Sequence, residues 1–243
     1  DSTEYYLAGI IASKIIKKRI EGEEDIDVKI MYEEFLNSNE LDLNVNYCVC
    51  SLSEQGDLLS QWRGYSKGMG GYSIGFDSEI IQTIAEKNGF SLVKCIYDEQ
   101  EQYNMVELVI NEAMKLFING GSKSTTESVR YFREALVKLS PMLKDKSFSE
   151  EREWRLVSLA STLDLEFRAG NSMLVPYKKL PLGSKHSLRK TLREIIVGHT
   201  PNAVLAINAT NSFLVKTLLS KKDFPIKVGM FDIRASSIPY RTW

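Results

Sequence analysis

The amino-acid sequence predicts a single α+β domain in which helices are inserted between neighbouring strands. Segments with the alternation of β-strands recur along the chain, and segments with helical periodicity separate some of them without the regular strand–helix alternation of a doubly wound fold. The chain has 243 residues, of which 43% are hydrophobic and 26% charged, as in an ordinary folded protein with a substantial core.

The N-terminal part predicts two helices followed by a strand. Residues 3–20 place apolar side chains near the 3.6-residue period and end in a basic turn, which indicates an amphipathic helix. Residues 28–37 predict a short second helix. The following segment "VNYCVCSLS" has the β-branched and aromatic content of a buried strand.

The middle of the chain predicts two more strands and a pair of helices. In "GGYSIGFD", Tyr72 alternates with Ser73, so one side of this strand is aromatic and apolar and the other is polar and either crowded or facing a ligand. "SLVKCIY" predicts another strand. Helical spacing then covers residues 100–118 and 126–144, with Pro141 near the end of the second helix.

The C-terminal part continues the mixture of strands and helices. "LEFRAGNSMLVPY" contains two strand-like stretches, and "LREIIVG" predicts a short apolar strand. Pro201 opens a helix over residues 202–220, and "IKVGMFDI" predicts the last strand before the terminal "SSIPYR".

The totals exclude several classes of protein. Lys plus Arg is 31 and Asp plus Glu is 32, so no overall field would attract the chain to nucleic acid or to a membrane surface. Charges interrupt every apolar run before the roughly 18 residues of a membrane helix. The spacing of Cys48, Cys50 and Cys95 favours reduced thiols in a cytoplasmic protein, and two histidines predict no metal site.

The segment "SFSEEREWRLV" is the strongest candidate for chemistry. If it is a strand, Glu151, Glu153 and Arg155 share one face, with the two carboxylates roughly 7 Å apart. Such a pair can polarise sugar hydroxyls or stabilise positive charge on an anomeric carbon. If the segment is a helix, Ser147 with Glu150 forms a capping box and Glu151 pairs with Arg155, which explains the charges without a site.

A second candidate lies in "SEQGDLLSQWRGYSKGMGGYSIGFD". Trp62, Arg63 and Tyr65 combine aromatic surface with a guanidinium directly before a glycine-rich loop. That loop could hold a diphosphate with Arg63 countering its charge, or it could be a glycine-rich hairpin against a packed tryptophan. The order of its glycines does not fit a P-loop or a dinucleotide-binding Rossmann turn.

Two further stretches end in arginine or hydroxyl side chains. They are Arg168 after an apolar strand, and the terminal "SSIPYR" with Ser236 and Ser237. Each could be a phosphate-binding or docking edge, although an exposed arginine at a strand end is usually only solvated. No G-x-S-x-G elbow is present, so a serine hydrolase is not indicated.

The order of these segments resembles a bacterial family, domain of unknown function 2971. The likeness lies in "CSLSEQGDLLSQWRGY", "GGYSIGFD", "FSEEREWRLV", "FRAGNSMLVPY", "EIIVG" and "SSIPYR" and covers about residues 45–241. In that family a strand and an L-N-D-x-x-E turn precede the first helix. Asp1 to Glu4 resembles the end of that turn, which implies that the family's N-terminal strand and its histidine are missing from this sequence.

The family's pattern is similar to that of the ADP-ribosyltransferase superfamily, whose split sheet clasps NAD. The resemblance implies that Glu153 matches the late catalytic glutamate, which stabilises an oxocarbenium-like transition state at the nicotinamide ribose. Glu151 matches the first acid of the E-x-E pair and would orient the nucleophile. Tyr72 or Ser73 would lie on the central strand. The chemistry of four other side chains adds them as expected NAD contacts: Trp62, Arg63, Tyr65 and Arg155.

Three functions follow as expectations. The first is an ADP-ribosyltransferase-like domain that cleaves NAD, a bacterial toxin or phage-defence effector modifying a protein or a nucleic acid. The alternative is a non-catalytic module that senses a nucleotide or a partner protein. A third is a nuclease that binds Mg²⁺ through Glu150, Glu151 and Glu153.

Overall fold

The fold is that of a computed structural model, which describes residues 2–38, 46–66, 70–120, 124–218 and 232–239. Its contacts group into two compact units. The first unit contains Asp1–Ser51 and Val93–Leu163, and the second contains Leu52–Leu92 and Asp164–Trp243. The single domain expected from the sequence stays a prediction, and each unit is described by itself below.

The first unit combines long helices with a three-stranded sheet. Its helices are α1 (Ser2–Gly22), α2 (Ile26–Ser38), α5 (Glu99–Asn119) and α6 (Ser124–Leu139). Its strands are β1 (Asn46–Ser53), β3 (Ser91–Lys94) and β4 (Glu153–Ala160), in the order β1-β4-β3. It also contains short 3₁₀ helices at Ser140–Met142, Lys146–Glu151 and Thr162–Asp164.

The core of the first unit lies among its four helices. Apolar side chains of α1, α2, α5 and α6 form one buried cluster, in which Phe35 stacks on Phe132 with ring centroids 4.5 Å apart. On α5 the buried positions Val106, Ile110 and Ala113 follow the helical period, so this stripe faces the cluster. Asp98 caps α5 by accepting a hydrogen bond from the backbone of Glu101.

The second unit is built on a mixed three-stranded sheet and a separate hairpin. Its helices are α3 (Leu59–Tyr65), α4 (Ser78–Lys87), α7 (Lys185–Thr191) and α8 (Ala203–Leu218). Its strands are β2 (Tyr72–Phe76), β5 (Glu166–Ala169), β6 (Leu174–Tyr177), β7 (Leu192–Val197) and β8 (Asp232–Ala235). In the order β2-β7-β8, the first pair is antiparallel and the second parallel, while β5 and β6 form the hairpin.

Most sequence-predicted elements are present, and the mixed content confirms the α+β class. The helix predicted over residues 126–144 ends earlier, at Leu139, because a 3₁₀ turn containing Pro141 follows it. The strand predicted from "IKVGMFDI" is described only from Asp232, and the rest of it lies outside the described residues. The likeness to ADP-ribosyltransferases stays a prediction.

In the parts of the chain that the structure describes, no helix combines the length and the apolar character needed to cross a bilayer. Cys48, Cys50 and Cys95 are free thiols, as the sequence predicts.

Candidate functional site

The segment "SFSEEREWRLV" divides at Arg152 into a tight turn and a strand. Asp145 accepts a hydrogen bond from the backbone of Ser147 at 2.8 Å and so begins the 3₁₀ turn, which ends at Glu151. Arg152 is left-handed, with φ of 43°, and β4 begins at the next residue. The helical interpretation therefore holds only before Arg152, and its expected capping box is replaced by Asp145. The strand interpretation holds from Glu153 onward.

Lys144 brings together the two glutamates that the sequence selects. Its Nζ atom lies 2.5 Å from Oε2 of Glu151 and 2.5 Å from Oε2 of Glu153. The two carboxylates are therefore neighbours through a shared ammonium, although only Glu153 lies in the strand. The carbonyl group of Lys144 accepts a hydrogen bond from Gln102 at 2.8 Å, which fixes the backbone below the ammonium.

Arg155 completes the neutralisation of Glu153. Its Nε and Nη2 atoms donate to the two carboxylate oxygens of Glu153 at 2.9 and 3.1 Å, the bidentate geometry typical of strong arginine–carboxylate pairs. Its Nη1 atom donates to the carbonyl of Pro141 at 3.0 Å. Arg155 therefore contributes its guanidinium to this cluster inside the first unit.

Burial makes this cluster a fixed part of the first unit. Glu153 is only 4% exposed, and Lys144 and Arg155 are only 6% exposed each. Glu151 is more accessible, with 24% of its side chain exposed. A buried charge is tolerated where opposite charges and hydrogen bonds surround it, and Glu153 has both.

The same contacts determine the ionisation of the cluster. Burial favours the neutral form of Glu153, but hydrogen bonds from Arg155, Lys144 and Ser51 outweigh it and lower the pKa to about 2. Burial opposes the charge of Lys144, whereas its hydrogen bonds to both glutamates raise its pKa. The neighbouring Cys95 thiol has a pKa raised to about 12, mainly by burial. At neutral pH Glu153 is therefore a carboxylate and Cys95 a thiol.

Trp62 is a packed residue of the second unit. It is 7% exposed, and its indole Nε1 donates to Asp57 at 2.7 Å. Its ring lies against glycine backbone: a Cβ atom placed on Gly198 would be 2.9 Å from Cζ3 of Trp62, and one placed on Gly71 would be 3.5 Å from the same atom. Glycines of "GGYS" and "EIIVG" thus make room for the indole, as the packed-tryptophan alternative expects.

The other sequence-selected residues of the second unit differ in accessibility. Arg63 is exposed on α3, Tyr65 is 78% exposed, and Tyr72 at the start of β2 is 59% exposed. Ser73 is half-buried. Its Oγ lies close to the loop that follows β1, since a Cβ atom placed on Gly56 would lie 3.2 Å from it. Arg63, Tyr65 and Tyr72 are therefore available to a ligand, whereas Ser73 lies beneath Gly56.

Two important residues have no signal in the sequence. Lys144 lies in "MLKDKSF", where a lysine beside an aspartate is typical of a solvated surface. Asp57 lies in a loop, and the side chains that it binds are separated from it by as many as 180 positions. No group of histidine, cysteine, aspartate and glutamate suited to a metal ion occurs among the residues that the structure describes.

Comparison with known proteins finds a family whose model matches the middle of the chain. The model of the family "protein of unknown function (DUF2971)" matches residues 61–156, a range that includes Trp62, the glutamate pair and Arg155. This match supports the predicted likeness to that family over these residues. No curated protein and no solved structure matches the chain.

Proposed function

We propose that this chain is a binding module that recognises a nucleotide, with NAD as the first candidate, and does not cleave it. The observation that carries the proposal is the state of Glu153. Both of its carboxylate oxygens already accept hydrogen bonds from cationic side chains, and the residue is 4% exposed. A ribose hydroxyl could reach this carboxylate only if Lys144 or Arg155 moved away, which would break a buried ion pair.

Exposed side chains of the second unit support nucleotide binding. Tyr65 and Tyr72 are the sequence neighbours of Ser66 and Gly71, which lie close together: a Cβ atom on Gly71 would be 3.0 Å from Cβ of Ser66. The two exposed tyrosines therefore belong to neighbouring segments, and Arg63 lies on the same short helix. Aromatic faces stack on bases, and a guanidinium matches phosphate oxygens, so these side chains suit a nucleotide.

A second candidate function is the cleavage of NAD by an ADP-ribosyltransferase-like toxin or defence enzyme. It is favoured by the position of Glu151, which shares Lys144 with Glu153 and keeps 24% of its side chain exposed. In this reaction the bond between nicotinamide and ribose breaks as a nucleophile attacks. The carboxylate pair would stabilise the cationic sugar and orient the nucleophile.

Thermal unfolding with NAD, together with a nicotinamide assay, tests the proposal. At a concentration of NAD near 100 times Kd, binding stabilises by about 2.7 kcal/mol, so we expect the Tm to rise by roughly 5–10 °C. We expect no nicotinamide. The double variant Tyr65→Ala/Tyr72→Ala should lose this rise, while Tyr131→Ala, which removes a partly exposed tyrosine of α6, should keep it.

The outcomes separate the candidates. Nicotinamide that accumulates with the wild-type chain and not with Glu151→Gln would establish the enzyme in place of the binding module. An unchanged Tm with NAD, ADP-ribose and ATP would reject nucleotide recognition.

A further inference from the structure

Hydrogen-bond donors converge on the carboxylate of Asp57 in the second unit. Its Oδ1 atom accepts from Trp62 Nε1 at 2.7 Å and from Ser236 Oγ at 2.5 Å. Its Oδ2 atom accepts from the backbone N and the Oγ of Ser237 at 2.7 and 2.9 Å. Arg234 adds its guanidinium, with Nη1 at 3.6 Å from Oδ2. Both oxygens of this single side chain are thus surrounded by donors.

Three of these four donor residues are held in place by contacts that do not involve Asp57. The backbone N of Ser236 donates to the carbonyl of Val197 at 2.7 Å, which extends the pairing of β8 with β7. Arg234 lies on β8 and is also paired with Glu194, at 3.3 Å. Trp62 is fixed by its packing against Gly198. The donor set is therefore preorganised, as anion-binding sites in proteins are.

Asp57 lies in the loop between β1 and α3, whereas Trp62 lies on α3 and Arg234 on β8. That loop adopts no helix or strand from Glu54 to Leu58. The carboxylate is held mainly by the donors themselves, and 11% of its side chain is exposed. Exchange of this carboxylate for another anion would leave the charge within the donor set unchanged, so such an exchange avoids the cost of burying unpaired charge.

We propose that Trp62, Arg234, Ser236 and Ser237 form an anion-binding cradle for a phosphate or carboxylate group of a ligand, and that Asp57 is its internal occupant. Asp57 closes the cradle in the free protein, and a ligand anion opens it by taking the same donors. This site lies beyond the proposed recognition of NAD and does not depend on it. The terminal "SSIPYR" contributes Ser236 and Ser237, which gives these hydroxyls a defined binding role.

Chemical rescue of Asp57→Ala tests the cradle. This variant removes the internal carboxylate and leaves every donor in place, so we expect it to unfold at a lower Tm than the wild type. Sodium acetate or inorganic phosphate should then occupy the vacant position and raise its Tm by about 3 °C at concentrations well above Kd, compared with sodium chloride of equal ionic strength. A larger response to acetate indicates a carboxylate site, and a larger response to phosphate indicates a phosphate site.

Two variants provide controls. Asp57→Ala combined with Ser236→Ala and Ser237→Ala lacks the carboxylate and two donor hydroxyls, and it should show no rescue. Asp77→Ala removes another aspartate of the second unit, one that caps α4 and pairs with Arg193, and should also show none. Equal shifts in all three variants, or no shift in Asp57→Ala, would overturn the proposal.

Hydrogen exchange of the wild-type chain keeps the test decisive if Asp57→Ala does not fold. Inorganic phosphate should increase exchange at residues 54–57 while residues 236–238 stay protected, because the loop leaves and the donors remain bound. Unchanged exchange in both segments at saturating phosphate, or increased exchange in both, would contradict an exchangeable occupant.

Discussion

Replacing Glu153 with glutamine is expected to destabilise the first unit by about 3–5 kcal/mol, because it leaves the buried Arg155 without its carboxylate partner and leaves Lys144 with Glu151 alone. For a protein of this size the Tm should fall by roughly 10 °C. Thermal unfolding followed by circular dichroism measures the change. Glu150→Gln is the matched control, since Glu150 is exposed in the adjacent turn and its loss should change stability by less than about 0.5 kcal/mol.

The double variant Glu153→Gln/Lys144→Met sharpens this prediction. The double variant removes the ammonium of Lys144 together with the carboxylate, so it contains one buried cation fewer than Glu153→Gln. Its loss of stability should therefore be smaller than the sum of the losses of the two single variants. A Glu153→Gln protein that unfolds at the wild-type Tm would show that this carboxylate does not stabilise the fold. Loss of an NAD-dependent activity in such a stable variant would favour the enzyme.

Replacing Trp62 with alanine is expected to destabilise the second unit by about 3–5 kcal/mol. The indole fills the space beside Gly71 and Gly198, and its N–H satisfies Asp57, so the variant loses packing and leaves an acceptor short of a donor. Chemical denaturation monitored by circular dichroism measures the loss.

Two variants on the same helix test the packed role of the indole. Trp62→Phe keeps one aromatic ring but removes the N–H and the atoms of the second ring, so it should cost less than Trp62→Ala, about 1–3 kcal/mol. Tyr65→Ala truncates a side chain that is 78% exposed and should change stability by less than about 0.5 kcal/mol. Equal losses for Trp62→Ala and Tyr65→Ala would contradict the packed role of the indole.

Strong local periodicity made most of the fold predictable from the sequence. The long helices α1, α5 and α8 carry apolar stripes at helical spacing, and β2 and β7 alternate or run apolar over their length. The sequence does not predict the short helices α3 and α7, because each has only seven residues and two turns give too few repeats to reveal a period. The division of the contacts into two units depends on contacts distant in sequence, which local patterns do not encode.

The candidate site was predictable only in part, because charge balance in a buried cluster depends on tertiary contacts. Sequence spacing brought Glu151, Glu153 and Arg155 together, and the structure agrees. It did not indicate Lys144, whose ammonium changes Glu153 from a carboxylate open to a ligand into one that is already paired. The role of Asp57 was not predictable for the same reason, since Ser236 and Ser237 contact it from a distant part of the sequence.

Titration of the Glu153 carboxyl group by ¹³C NMR tests most directly whether this side chain stabilises the fold as a buried, paired carboxylate that does not contact NAD. The resonance is assigned by its absence in Glu153→Gln, and the titration is repeated with saturating NAD. Because the folded pKa is about 2, below the ordinary value of 4.5, the group should stay a carboxylate as pH falls to about 3, while its stabilising effect on the fold declines between pH 4.5 and about 2. NAD should leave the resonance unchanged. A midpoint above about 4, or a clear displacement of the resonance by NAD, would contradict the account.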